Sequence, residues 1–260
     1  MTEYFNYQFN LGEIALQFSN SLSIEEREIH SYHEILYCEG ANLILRTESG
    51  ILETCGKQLF VIPKGKYHMF ELSGVKQFTR LKISISDAIV KKLNVGIFDY
   101  DICVISYMTQ CVTFLIEKLC DMISKETNEF YINSAIMMIL AELNLNVAEL
   151  NINTKECLNS NEAIFKVAEY ISEHLSSNLN VELLAKTANV SPSFLTHKFQ
   201  KEVGISLHRY IVQKRMVYAK ERIDLGERPS KIYVDCGYRD YSSFYKAYLN
   251  FFGVSPSQNK

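Results

Sequence analysis

A pattern in the last hundred residues occurs twice, and it limits what that part of the chain can fold into. Leu195-x3-Phe199-x4-Gly204-x-Ser206 returns as Phe244-x3-Tyr248-x4-Gly253-x-Ser255, with every position displaced by 49 residues. Self-similarity at a fixed period means one supersecondary unit used more than once. In each copy the apolar pair at i and i+4 marks the buried face of a short helix, and the glycine marks its end.

The residues ahead of each copy say which unit it is. In the first, Val181, Leu184, Ala185 and Ala188 fall at i, i+3, i+4 and i+7, one apolar stripe of a preceding helix. Asn189 tolerates the left-handed turn conformation, Ser191 suits an N-cap and Pro192 the first helical position. In the second, Gly237 supplies the turn and Asp240 the cap. Between them, Val212, Met216, Ala219 and Ile223 recur along Leu207 to Leu225, one helix joining both units. Helix, tight turn and capped second helix make a helix-turn-helix, whose second helix enters a major groove. A helical pair packed only for stability would explain one copy. Two copies on a shared helix point to DNA.

The segment Gly237-Tyr238-Arg239-Asp240-Tyr241-Ser242-Ser243-Phe244-Tyr245-Lys246-Ala247-Tyr248, with Gly253-Val254-Ser255-Pro256, resembles the signature of AraC/XylS-family transcription regulators. The first unit (Leu184-Ala185, Ser191, Leu195, Phe199, Gly204) and Arg215-Met216-x2-Ala219 on the joining helix match as well. The resemblance covers about 100 residues. Two departures stand out. Val234 and Cys236 replace the usual small or aliphatic residues, and Ser257-Gln258-Asn259-Lys260 stands where a Tyr-Arg pair is common. The first is a packing variation; the second removes a phosphate contact.

The resemblance implies that each second helix reads one major groove. Leu195 and Phe199 take the core, so Ser193, Thr196 and His197 face away, and by family position these are base readers. Neither serine nor threonine makes a bidentate base contact, so discrimination per base should be modest. In the second unit Ser242, Ser243 and Lys246 face outward and Arg239 sits at the turn. Lys246 and Arg239 are assigned to phosphate or guanine, the serines to phosphate or base edges. Residues 161–260 carry 14 basic and 10 acidic residues, a net +4, against −7 for the other 160. A polyanion should therefore meet the C-terminal part.

The N-terminal part reads differently. From Tyr4 to Ser86, short β-rich runs are separated by turn residues at Glu39-Gly40, Ser49-Gly50, Gly56-Lys57 and Pro63-Lys64-Gly65. That spacing suggests an antiparallel barrel or sandwich. Asp101 to Lys125 and Asn128 to Leu150 lack Gly and Pro and read as helices, and Ile105, Met108, Val112, Leu115, Ile116 and Leu119 follow a helical period. The apolar run Ile136 to Leu140 asks for cover on several sides. Val112→Glu, on the side expected to be exposed, should break a dimer built on these helices. Asn151 to Asn161 is polar and reads as a linker.

Tyr32-His33-Glu34-Ile35-Leu36-Tyr37-Cys38-Glu39-Gly40 and Ile62-Pro63-Lys64-Gly65-Lys66-Tyr67-His68 resemble the small cupin-like barrel that family members carry. The resemblance implies a barrel that binds a small effector, or has lost that role, followed by dimerisation helices. The expected fold class is α+β: a cupin-like β-barrel at 1–95, dimerisation helices at 96–150, a linker at 151–160 and an all-α domain with two helix-turn-helix units at 161–260.

His30, His33, Glu34 and His68 are metal-ligand types. On a strand, His33 and Glu34 point to opposite faces, and no His-x-His occurs. The expectation is therefore no metal and no cofactor, with His33 and His68 tying the barrel mouth and offering the candidate effector contacts. No Gly-rich phosphate loop and no nucleophile elbow is present, so no enzyme is expected. Seven scattered cysteines without a Cys-x-x-Cys fit a reducing cytoplasm. Met1 to Phe9 carry no secretory signature, and no apolar run reaches the ~18 residues of a membrane span. The expected partners are double-stranded DNA, RNA polymerase, a small effector and a second copy of the chain, with activation as the family's commoner mode. Two alternatives stay open: a metal-dependent cupin enzyme with a DNA-binding tail, and a ligand-independent regulator governed by a protein partner.

Overall fold

The computed structural model describes residues 6–10, 14–19, 27–73, 78–105, 108–123, 129–145 and 162–258. The expected linker at 151–160 lies outside the described residues.

Among the described residues, eight strands form one antiparallel sheet: β1 (Asn6–Asn10), β2 (Ile14–Ser19), β3 (Arg27–Glu28), β4 (His33–Thr47), β5 (Gly50–Ile62), β6 (His68–Ser73), β7 (Thr79–Ile85) and β8 (Cys103–Ile105). The order is β1-β2-β7-β4-β5-β8, with β6 on the far half of β4 and β3 on β6. β4 is the hub. Its first half pairs β7, its second half pairs β6, and β5 runs along its other side. The change of neighbour falls at a bulge between Cys38 and Ala41, where Gly40 (φ 85°) and, across the pair, Gly56 (φ 80°) take the left-handed region. Bulges bend and twist a strand, and this one curls the sheet. Glu39-Gly40 and Gly56-Lys57 are thus not turns, as their composition suggests, but parts of one bulge within two long strands.

The curl gives the sheet two buried faces. Ile35, Tyr37, Leu59, Val61, Leu81 and Ile83 pack against helices, whereas Leu36, Cys38, Phe60, Ile62 and Phe70 pack among themselves on the other face. The alternation is that of a strand. After the bulge the parity flips, so that Leu43 and Leu45 join Leu36 and Cys38.

The first face is covered by α1 (Asp87–Leu93), the short 3₁₀ turn Gly96–Asp99, α2 (Gln110–Ile123) and α3 (Glu129–Leu145). The helix expected from Asp101 begins only at Gln110, because Cys103–Ile105 adds β8 to the edge of β5, so Ile105 is a strand residue. Val112 is buried against the sheet, so a charge there would disrupt the core and does not test dimerisation. In the run 136–140, Ile136, Ile139 and Leu140 are buried while Met137 and Met138 stay exposed.

The remaining helices are α4 (Glu162–Glu173), α5 (Val181–Thr187), α6 (Pro192–Val203), α7 (Leu207–Asp224), α8 (Pro229–Ile232) and α9 (Tyr241–Phe252). Helices α4 to α7 share a core that also takes in Met69 of β6 and, beside the strands, Ile29 and Tyr67. A second core joins Met216, Ala219 and Ile223 of α7 to Ile232, Cys236, Phe244 and Tyr248. No helix among the described residues is long and apolar enough to cross a membrane.

Candidate nucleic-acid interface

Both expected units form, by the same local chemistry. After α5, Asn189 takes φ 54° and Val190 N–H closes onto Ala185 O at 3.0 Å. Ahead of α9, Gly237 takes φ 77° and Tyr238 N–H closes onto Tyr233 O at 3.0 Å. These are matching helix-ending turns, in which a left-handed residue lets a late N–H reach back to an orphan carbonyl. Ser191 Oγ then accepts from Phe194 N–H at 3.2 Å, and Asp240 Oδ1 from Ser243 N–H at 2.8 Å. The caps are 49 residues apart but the turns only 48, so the second unit carries one more residue in the turn that holds Arg239. Gly204 (φ 84°) and Gly253 (φ 72°) end the two second helices.

The faces divide as the spacing requires. Leu195, Phe199, Phe244 and Tyr248 are fully buried. Ser193, Thr196 and His197 on α6, Ser242, Ser243 and Lys246 on α9, and Arg239 before it are all exposed. Ser193 corresponds to Ser242 and His197 to Lys246 under the 49-residue shift. Two hydroxyl protons are engaged within the helices. Thr196 Oγ1 donates to Pro192 O and Ser193 O at 3.0 Å each, and Ser243 Oγ donates to Asp240 Oδ2 at 2.9 Å. Thr196 therefore offers a methyl and lone pairs, a fit to a thymine methyl or a base amino group. The Asp240 carboxyl is held below the usual carboxylate range by Ser243 N–H and hydroxyl. Two exposed amides went unremarked in the sequence: Gln200, one turn beyond Thr196, and Asn250, one turn beyond Lys246. Helical periodicity alone places them on the same faces, and their side chains suit bidentate contact with adenine.

α7 fixes the units to each other. At about 1.5 Å per residue its 18 residues span about 27 Å. Arg215, on this helix, donates from Nε to Leu175 O (3.0 Å) and from Nη2 to Ser177 O (2.8 Å), holding the loop between α4 and α5. A Cβ at Gly237 would collide with Leu175 O and the same guanidinium. The turn of the second unit thus sits directly on the loop of the first.

The N-terminal candidates separate. His33 lies on the helix-covered face, its Nε2 3.1 Å from Asp87 Oδ1 and its ring against Phe98. Burial pulls its pKa down against the opposing pull of Asp87. His68 lies instead with His30 and Glu34, and the ligand atoms of these three buried residues are all within 4.8 Å of one another. Parity sends His33 and Glu34 to opposite faces, as expected, but His30 reaches Glu34 from the bend before β4, a pairing the parity argument did not cover. Glu34 Oε2 lies 3.1 Å from both His30 Nε2 and Lys82 Nζ. Burial pushes the Glu34 carboxyl up, but His30 and Lys82 outweigh it and hold it well below the usual range.

Comparison with known proteins follows the same division of the chain. Residues 184–260 match the helix-turn-helix domain family. The Msm operon regulatory protein of Streptococcus mutans is 36% identical over 97 residues, which are 36% of this chain and 34% of that protein. Regulatory protein SoxS of Escherichia coli is 30% identical over 89 residues, 34% of this chain and 83% of SoxS. The matched stretch spans about a third of the first relatives it resembles. Among solved structures, ToxT from Vibrio cholerae O395 aligns over 98% of this chain and 97% of its own at 12% identity, with a TM-score of 0.44.

Proposed function

We infer that this chain, which belongs to the AraC/XylS family of helix-turn-helix transcription regulators, binds double-stranded DNA sequence-specifically through α6 and α9 in two successive major grooves. The observation that carries this reading is the pair of equivalent capped helices, each with an exposed polar face, mounted on one continuous helix. Ser193, Thr196 and His197 read the first groove; Arg239, Ser242, Ser243 and Lys246 read or grip the second. The DNA-binding domain is taken as 161–260, the linker as 151–160, and the curled sheet with its helices as a cupin-like sensor and dimerisation part at 1–95 and 96–150. RNA polymerase is the further partner of an activator of this design. Duplex binding by the full chain tests the proposal. Affinity should fall steeply as salt rises, because phosphate contacts release counterions. Binding that is weak at low salt and indifferent to sequence would contradict it.

A second copy of the chain is the occupant proposed for the outer face of α2 and α3. Phe114, Phe130, Met138 and Leu145 are exposed there, at 55%, 78%, 51% and 79%. A two-fold axis would pair this patch with itself. Phe114→Glu should yield a folded monomer by sedimentation at micromolar concentration. Sedimentation of the unaltered chain as a monomer would remove this interface.

A further inference from the structure

We propose that His30, Glu34 and His68 bind one divalent transition-metal ion of the zinc, cobalt or nickel type, and that this ion is the effector which adjusts the seat of the first helix-turn-helix unit. The coupling rests on the DNA-binding reading above; the metal site does not.

The donor set is two imidazoles and a carboxylate, which suits such ions. All three side chains are buried, with residue exposures of 6%, 1% and 1%. Each ring is oriented through its other nitrogen: His30 Nδ1 on Tyr32 O at 2.7 Å, and His68 Nδ1 on Lys66 O at 3.3 Å. A carbonyl only accepts, so each Nδ1 carries the proton and, in the neutral ring, Nε2 carries the lone pair. Protein-held histidine ligands are fixed in this way, by a backbone carbonyl on the far nitrogen. His30 Nε2 and Glu34 Oε2 face each other at 3.1 Å without an aligned hydrogen bond between them. With the ring neutral, the lone pairs of the imidazole and the carboxylate are both available to one cation. The ligand atoms lie within 4.8 Å of one another, and bonds of about 2.0–2.2 Å require only a small contraction. Lys82 Nζ, 3.1 Å from the same carboxylate oxygen, balances Glu34 when the ion is absent and competes with it.

The site adjoins the helical half. Glu28 of β3 pairs with His68 of β6, and His30 follows two residues after Glu28, just past the end of that short β-ladder. Ile29, beside His30, and Tyr67 and Met69, either side of His68, are the residues that the ladder and its flanks contribute to the core of the first unit. Tyr67 Oη donates to Val203 O at the end of α6 at 2.8 Å. An ion that draws His30 and His68 together therefore acts on residues that support α6. A ligand shifts DNA affinity only through such a difference between states.

The test is cobalt(II) titration of the untagged, chelator-treated full chain. One equivalent should bind and give visible ligand-field bands without the near-ultraviolet thiolate charge-transfer that cysteine ligation produces. His30→Ala and His68→Ala should each weaken binding by more than about 100-fold, beyond the ~10–100-fold cost of losing an outer-shell partner. Lys82→Met should tighten it and make thermal stability more dependent on the metal. Failure of the unaltered, folded chain to bind cobalt or zinc at micromolar concentration would overturn the site, as would undiminished binding by both histidine variants. Metal should then change DNA affinity by about 5–150-fold in the unaltered chain and not in His68→Ala. Metal binding without any change in DNA affinity would overturn the coupling and leave the site. Absence of DNA binding under all conditions would instead count against the DNA-binding reading alone.

Discussion

Lys214 Nζ lies 3.0 Å from Glu48 Oε1, with both side chains about nine-tenths buried. The lysine is on the helix that joins the two reading units, and the glutamate is in the turn between the two longest strands. Lys214 also donates to Gly65 O at 2.8 Å, and Glu48 accepts from Tyr67 N–H at 3.0 Å. One buried pair thus links the curled sheet to the rigid element of the helical half. Breaking such a pair from one side leaves an uncompensated buried charge and costs about 3–5 kcal/mol. Lys214→Met should lower the denaturant midpoint accordingly, and adding Glu48→Gln should recover part of the loss. A double-variant loss equal to the sum of the two single losses would mean the pair contributes nothing as a pair.

The contact between Gly237 and the Arg215-held loop makes a second prediction. Gly237→Ala forces a side chain into a left-handed conformation and into Leu175 O. The expected cost is about 2–4 kcal/mol. Gly226 has φ 88° but open space around it, so Gly226→Ala should cost only the backbone strain, about 1–2 kcal/mol. Thermal denaturation of both variants compares them directly.

His197 and Lys246 occupy equivalent positions on α6 and α9. His197→Ala should change preference at one or two base pairs, by about 1–3 kcal/mol. Lys246→Ala should weaken all sequences alike and reduce the salt slope by about one if it holds phosphate. Binding measured on a panel of single-base variants distinguishes the two. A uniform loss for His197→Ala would move that residue to the phosphate class.

Asp101 gives a pH signature. Burial pushes its carboxyl up, but Lys66, Ile102 N–H and the Ser49 hydroxyl prevail and hold it below the ordinary 3.8. A depressed folded-state pKa means the unfolded chain takes up the proton first as pH falls. The stabilisation is therefore present above the unfolded value and lost as pH drops through the folded one. Asp101→Asn should be less stable at neutral pH and should lose less stability below about pH 4. Parallel acid-denaturation curves for the two proteins would contradict this.

Legibility followed the range of the interactions. Asn189, Ser191, Gly237 and Asp240 act within a few residues of themselves, so their turn and cap roles were readable in the sequence and recur in the structure. Gly40 and Gly56 misled, because a left-handed glycine serves a bulge as well as a turn. Ile105 joined a helical pattern by spacing, but pairing with Leu59 places it in a strand. Lys214 resembles any solvated helix lysine until a glutamate 166 positions away meets it. The gathering of His30, Glu34 and His68 needs both a bend and a strand pairing, neither of which leaves a periodic trace.

Two readers on one rigid helix should engage successive major grooves of a duplex. Sites selected from random duplexes should contain two short preferred blocks with centres one helical turn, about 10 base pairs, apart. Inserting five base pairs between the blocks puts the second on the opposite side of the duplex, and affinity of the full chain should collapse to its non-specific level. Selection of a single block, or affinity unchanged by that insertion, would contradict the account.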